Sequence, residues 1–510
     1  ARHILNLDIG DVIQMENGHC DVRFLLLTVE YTEGEPETYT LPLAFAAGDQ
    51  ARQIAGNFPN AVVAQLEVSG QESGSNGILY DALVDQSFNS LLLESISHRR
   101  TFRGEQGQIS AMPSRVFRRL AGLDWAEISP VPLREEQTNT SIAFGDRMML
   151  KLFRRLGEGV NPDLAMGRFL TEVVSFPHIP ALAGALEYRK SRNEEPMTLG
   201  ILHSYVANQG SAWRYTLDSL GDFLERALTY SEKPIVPDQP LLELVAVAAP
   251  ALARDTIGPY LESARLLGQR TAELHLALAS RSSDPAFAPE PFTELYRRSL
   301  YQSMRNLTNQ NFDLLRQRLP GLSQDDRASA QKVLDRRGEA LGKFQQLTTR
   351  PLVASRIRCH GDYHLGQVLY TGGNFIIIDF EGEPARAITE RRLKRCPLRD
   401  VAGMVRSFHY ATSAAISGQA PIVIRPEDAA VLDGWARFWY SWVSAAFLSA
   451  YLAAAGQSEF LPRDPAQLQT LLDIYLLEKA VYEVGYELNN RPDWVRVPLQ
   501  GILQSLGEPA

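Results

Sequence analysis

An island of strand pattern sits inside the helical half of this chain, and it limits the folds available. Residues Ile357 to Tyr370 read "IRCHGDYHLGQVLY", and Asn374 to Pro384 read "NFIIIDFEGEP". Short apolar runs bounded by turn residues give strand, loop, strand. The flanking segments "SARLLGQRTAELHLALA" and "ARFWYSWVSAAFLSAYLAAA" are helical in pattern. A carboxylate at the end of a buried strand is costly unless it binds something. Asp379 closes such a strand, so the island is expected to hold a ligand.

The rest of the chain divides into three parts. Residues 1–90 read as a β-rich cap: "DVRFLLLTVEY" and "ETYTLPLAF" are β-branched and aromatic, with "TEGEP" as a turn between them. A second turn is expected at "VSGQESGSNG". Residues 91–206 read as a mixed small lobe. There "NTSIAFGDRMMLKLFRRL" predicts two strands joined at Gly145-Asp146, and "NPDLAMGRFLTEVVSF" predicts a helix with Asn161 as cap and Pro162 at its first position. "ALEYRK" and "MTLGILHSYV" return to strand. Residues 207–510 read as a large, mainly helical lobe that carries the island. The class is α+β.

At 510 residues, two or three domains are expected, and 45% hydrophobic with 22% charged residues fits a folded globular protein. The net charge of −9 argues against a nucleic-acid or anionic-membrane partner. Any phosphate site must therefore be local. No apolar run reaches the ~18 residues of a membrane span, and "ARHILNLDIGDV" is not built like a signal peptide. The start at Ala1 suggests a truncated, processed or partly ordered chain. Cys20, Cys359 and Cys396 have no metal spacing, so reduced thiols in a cytoplasmic protein are expected.

Asp362 and Gln367 are five apart across the loop, and Asp379 follows Asp362 by seventeen. Either aspartate alone could equally be a turn cap. The ordered set suits metal-assisted phosphoryl transfer. One carboxylate, Asp362, accepts the proton of the substrate hydroxyl. The amide of Gln367 and the carboxylate of Asp379 hold Mg²⁺ on the nucleotide phosphates, because Mg²⁺ prefers hard oxygen ligands. Such chemistry also needs a cation on the nucleotide. Lys151, in "MMLKLF", is the only lysine before Lys190, and a compact ammonium suits a phosphate contact. The bland alternative is an edge lysine reaching outward. "REEQTNTSIAFGD" would be the loop over the phosphates, although it is not glycine-rich. Glu172 is the first candidate to orient Lys151, with a plain surface role as the alternative.

Two decoys fall away. "GEALGKF" has the wrong spacing for a P-loop and lies in a helical pattern. His360 and His364 are four apart, but Gly361 and the flanking strands do not provide the helix that a paired-histidine zinc site needs. His364 reads instead as a brace or a substrate contact.

At "HGDYHLGQ" and "DFEGEP" the chain resembles maltokinases, relatives of the aminoglycoside phosphotransferases with a bilobal protein kinase-like fold. The likeness extends to "PLRDVAGMVRSFHYA" and "LEKAVYEVGYELNNRPDWVRVPLQGI". It implies transfer of the ATP γ-phosphate to the anomeric hydroxyl of maltose, giving maltose 1-phosphate. It implies Asp362 as base, Gln367 and Asp379 as Mg²⁺ ligands, and Lys151 as the phosphate lysine. Glu381 would act near the metal or nucleotide. Ser204 and Val206, in "HSYVANQG", would line adenine. His364, Arg399, Tyr482 and Glu487 would meet the sugar. Some family members are fused behind a trehalose synthase, so a fused or associated trehalose synthase is the implied partner. The chain departs from the pattern at Ala165, where such kinases often carry the acidic partner of the lysine. The same fold could take glucose, an amino sugar or an aminoglycoside, or serve as a catalytically silent nucleotide-binding module.

Overall fold

The computed structural model describes residues 3–18, 20–67, 76–122, 124–133, 139–231, 233–281, 283–383, 386–425 and 427–507. Most of the expected "VSGQESGSNG" turn, and the "REEQT" part of the proposed phosphate loop, lie outside them. The chain forms two compact units: Ala1–Ala207 with Pro384–Arg392, and Asn208–Glu383 with Leu393–Ala510.

In the first unit, long antiparallel strands form because β-branched and aromatic residues alternate between a buried and a solvated face. Strands β1 (Ile4–Asn17), β2 (Cys20–Tyr31), β3 (Glu37–Ala47), β4 (Val62–Glu67) and β5 (Asn76–Asp81) make a sheet ordered β1-β2-β3-β5-β4. In β2, Val22, Phe24 and Leu26 are buried and share one face. The second sheet contains β6 (Thr101–Arg103), β7 (Gln108–Pro113), β8 (Pro130–Pro132), β9 (Asn139–Phe144) and β10 (Met148–Phe153). The short β11 (Arg155–Leu156) returns to pair with β3. Strands β12 (Leu182–Arg189) and β13 (Met197–Ser204) complete the second sheet in the order β6-β7-β12-β13-β10-β9-β8. One buried cluster runs through both sheets, from Ile13, Phe24 and Tyr80 to Ile142, Leu150 and Leu202. Polar ties reinforce it. The buried Asp11 carboxylate accepts from the amides of Glu105 and Gln106 and from the Tyr188 hydroxyl, and Arg154 pairs with Asp81 at 2.6 Å.

The Asn161 side chain caps the helix Pro162–Arg168 by accepting from the Asp163 amide at 2.9 Å, with Pro162 at its start. The regular helix is shorter than its pattern predicts. It widens into a π-turn at Phe169–Val173, where the Val174 amide donates to the Phe169 carbonyl, and the Thr171 hydroxyl accepts from the Leu182 amide.

The second unit is mainly helical. Its longest helices are Glu294–Arg318, Ala429–Ala455 and Pro465–Asn490. Two small sheets interrupt them: β14 (Glu290–Pro291) with β15 (Ser355–Arg356), and β16 (Val368–Tyr370) with β17 (Phe375–Ile377). "GEALGKF" falls within the helix Arg337–Thr349. Among the described residues, no helix is long and apolar enough to cross a membrane.

Candidate active site

The island is a tight hairpin hung below a locked loop. Strands β16 and β17 pair with Val368 opposite Ile377. The Ile378 amide donates to the Gln367 carbonyl at 3.0 Å, which carries the pairing one step further. Gln367 and Asp379 are thereby brought side by side, and Gln367 Nε2 donates to Asp379 Oδ2 at 2.8 Å. Asp379 has φ 65°, a left-handed conformation that non-glycine residues seldom adopt outside special sites. The chain turns sharply there, directly after the strand.

The loop before the hairpin is held through its backbone. The buried Asp400 carboxylate accepts from the His360 amide at 2.7 Å and the Gly361 amide at 3.0 Å. His275 Nε2 lies 3.2 Å from the same carboxylate. Burial works to raise the Asp400 carboxyl, but His275, His360 and the Gly361 amide outweigh it and hold the group below the usual carboxylate range. Gly361 has φ 90°, where a side chain would be strained. His360 Nε2 is 2.8 Å from the Ile378 carbonyl, and the Leu365 amide donates to Ser407 at 3.1 Å. His360 is thus a buried brace, and no zinc-type cluster of His, Cys, Asp and Glu occurs among the described residues.

Asp362 projects from this frame with a side chain about a quarter exposed; Lys479 Nζ is 3.4 Å from its Oδ1. His364 Nε2 is 4.0 Å from Oδ2, while His364 Nδ1 accepts from the Gly366 amide. Burial pushes the Asp362 carboxyl up, but the Lys479 ammonium, aided by His364 and His360, overrides it and keeps the group below its ordinary value. Burial also pushes the His364 imidazole down, against the pull of Asp362. An ionised carboxylate beside a neutral histidine suits a group that accepts a proton.

Arg399 lies in a buried ion-pair set, 3.6 Å from Glu383 Oε2 and 3.6 Å from Glu478 Oε2. Burial raises the Tyr482 hydroxyl, and its interaction and hydrogen bond with Glu383 raise it further. Glu487 is almost fully buried, accepting from Tyr410 at 3.0 Å and pairing with Arg491 at 2.8 Å. Burial raises its carboxyl despite Arg491. The second unit therefore holds Asp362, His364, Gln367, Asp379, Glu381, Arg399, Tyr482 and Glu487. Asp362, His364 and the Gln367–Asp379 pair share one loop and hairpin, whereas Arg399 and Glu487 have most of their polar reach taken up by neighbours.

The other four sequence candidates belong to the first unit. Lys151 lies in β10, opposite Ile201 of β13 and Ser141 of β9, between the buried Leu150 and Leu152. Its Nζ is 5.5 Å from the centre of the Phe153 ring. Glu172 sits in the π-turn and accepts from the Arg115 amide at 2.9 Å. Ser204 ends β13, with its hydroxyl accepting from the Ala181 amide. Val206 follows it, half-buried.

Sequence reasoning missed Asp400, Ser407, Glu383, Glu478 and Lys479 as parts of this site. "PLRD" and "LEKAVYE" drew notice as motifs, but no spacing told which atoms they hold.

Residues 219–382 match the phosphotransferase enzyme family. That segment contains Asp362, Gln367 and Asp379. A glucosamine kinase of Streptacidiphilus jiangxiensis is 24% identical over 71% of this chain and 70% of its own length. A glucosamine kinase of Mycolicibacterium smegmatis is 25% identical over 72% and 77%. A solved glucosamine kinase in complex with glucosamine, ADP and inorganic phosphate is 17% identical and aligns over 98% of this chain and 93% of its own, with a TM-score of 0.63. A second crystal form gives 18% identity, 99% and 94% coverage, and a TM-score of 0.64. The fold is the protein kinase-like α+β fold of the aminoglycoside phosphotransferases. These findings support a phosphotransferase that uses a nucleotide; none of them singles out the maltokinases.

Proposed function

We propose that this chain is an ATP-dependent sugar kinase that phosphorylates maltose at its anomeric hydroxyl, giving maltose 1-phosphate and ADP. The observation that carries the kinase reading is the ordered set of Asp362, Gln367 and Asp379 on a backbone-locked loop. Mg²⁺ fits the residues present. Gln367 and Asp379 are side by side, the Gln367 amide nitrogen meeting Asp379 Oδ2, and each side chain carries an oxygen that suits Mg²⁺, which on a nucleotide commonly takes one or two protein groups beside phosphates and water. When bound there, it would neutralise charge on the nucleotide phosphates. Asp362 holds the acceptor hydroxyl by a hydrogen bond and takes its proton as the oxygen–phosphorus bond forms. The bond from the γ-phosphorus to the bridging oxygen breaks, and ADP keeps that oxygen. We assign the phosphate contact to Lys151, with Glu172 as its candidate orienting acid. The adenine contacts go to Ser204 and Val206, an outer role at the nucleotide end to Glu381, and the sugar contacts to His364, Arg399, Tyr482 and Glu487.

Maltose rests on the "DFEGEP" and "YEVGYELNNRPDW" likeness. The relatives named glucosamine kinase favour a second acceptor, glucosamine. A panel of maltose, glucose and glucosamine, with ATP and Mg²⁺ and with product analysis, separates them. The expected result is fastest turnover on maltose, with phosphate on the reducing-end carbon. Equal rates on glucose, preference for glucosamine, or phosphate on a primary hydroxyl overturns the maltose assignment. No turnover on any sugar overturns the kinase reading.

A further inference from the structure

The loop that presents Asp362 does not itself fix the carboxylate. From the same loop, His364 Nε2 stays 4.0 Å from Oδ2, beyond hydrogen-bond reach. The group at Oδ1 comes from 117 residues downstream: Lys479 Nζ, at 3.4 Å.

Lys479 is set on a rigid support. It belongs to the helix Pro465–Asn490, which is pinned to the helix Leu398–Ala414 along one side. Glu478 pairs with Arg399. Glu483 accepts from Arg406 Nε and Nη2 at 2.9 and 2.7 Å. Glu487 accepts from Tyr410. The ammonium also lies 5.0 Å from the centre of the Tyr482 ring, so its stem is confined. Its side chain is 21% exposed, unusual for a lysine, which normally keeps its head in water. A bidentate arginine would engage both carboxylate oxygens; an ammonium is a point charge that can occupy one.

We propose that Lys479 is the positioning residue for the base, holding Asp362 Oδ1 so that Oδ2 faces the acceptor hydroxyl. This rests on the reading of Asp362 as the base. The alternative is a lysine that only balances charge among Glu383, Glu483 and Arg399. Asp362 is faced by Lys479 and Tyr482 from the helix and by His360 and His364 from its own loop. Of these the lysine is the leading influence favouring ionisation. Its loss lets burial dominate, so the carboxyl should titrate at higher pH.

The test compares the unaltered chain with Lys479→Met and Lys479→Arg by two readouts. The first is the ¹³C-carboxyl NMR titration of Asp362, assigned with Asp362→Asn and recorded without substrate. The second is the pH dependence of kcat on the best sugar of the panel. For Lys479→Met the expected result is an upward shift of both the Asp362 titration and the acidic limb, and a kcat lowered about 10²-fold, the scale of a misplaced reacting group. KM for ATP should stay within about twofold, since the nucleotide contacts are assigned elsewhere. Lys479→Arg should keep the titration low and recover part of kcat. An unchanged Asp362 titration in folded Lys479→Met overturns the proposal, as does a kcat near that of the unaltered chain. If Lys479→Met does not fold, Lys479→Arg decides: normal pH limbs with normal kcat show that any cation suffices and overturn the claim to positioning. If the unaltered chain phosphorylates no sugar, the kinase reading fails, while the carboxyl titration still tests the tie between Lys479 and Asp362.

Discussion

Two aspartates of the same chemistry are set to different tasks by their neighbours. Asp362 faces an ammonium and a histidine, whereas Asp379 faces the amide of Gln367 across a hairpin. Replacing Asp362 by asparagine keeps the shape and removes the proton acceptor. In a loose phosphoryl-transfer transition state the acceptor needs positioning and a place for its proton more than strong activation. Loss of a general base typically costs about 10²–10⁴-fold in rate. Asp362→Asn should therefore lose kcat on that scale while binding Mg²⁺ and a non-hydrolysable ATP analogue nearly as before in calorimetry. Asp379→Asn should weaken that binding as well as turnover. Equal loss of binding in both variants would show that the roles are not divided in this way. Asp362, Gln367 and Asp379 could be singled out in the sequence because they lie on one short loop and hairpin. Lys479 could not, because its partner is chosen by helix packing over 117 residues and no local period records it.

The element that locks the loop is the helix Leu398–Ala414, and one face of it explains why. Asp400, Gly403 and Ser407 follow at helical spacing. Asp400 takes the His360 and Gly361 amides, and Ser407 takes the Leu365 amide. Between them, a Cβ on Gly403 would lie 2.5 Å from the Tyr363 carbonyl oxygen. The glycine is there so that the loop backbone can lie against the helix. The sequence shows a helix in "RDVAGMVRSFHYA" but not this contact, since a mid-helix glycine reads only as a weak spot. Helix propensity alone predicts that Gly403→Ala gains about 1 kcal/mol. The clash is with backbone, which cannot swing aside, and overpacking of this kind costs about 1–3 kcal/mol. Gly403→Ala should thus lower the thermal midpoint and reduce turnover together. Gly434→Ala, in the helix Ala429–Ala455 with nothing within 4 Å of its would-be Cβ, should raise the midpoint by the propensity gain. If both variants were equally stabilised in calorimetric melts, the close approach at Tyr363 would not constrain the loop.

At the scale of the whole molecule, the shift from strand-rich to helical sequence is plain in the order of patterns along the chain. What that order hides is how the strand-rich part is put together. Alternation in β2 and β3 marks a buried face without saying what covers it. Ile13, Met15, Val22, Phe24, Leu26, Ile78 and Tyr80 are buried in the same cluster as Ile142, Leu150, Ile201 and Leu202. Asp11 and Asp81 add polar ties to Tyr188 and Arg154. The first 84 residues should therefore not be removable, although the sequence pattern sets residues 1–90 apart as a cap. Burying a large apolar side chain contributes about 1.5–3 kcal/mol. Seven such residues amount to roughly 10–20 kcal/mol as an upper bound, which matches the ~5–15 kcal/mol by which whole domains are stable. A chain starting at Asp85 keeps the helix Gln86–Ser97 and its Asp85 cap, so any loss is due to the missing sheet rather than to a cut helix. It should aggregate or melt without a cooperative transition for the first unit, while the full chain shows one. Soluble truncated protein with an unchanged midpoint in calorimetry would mean that the seven-stranded sheet closes its own core.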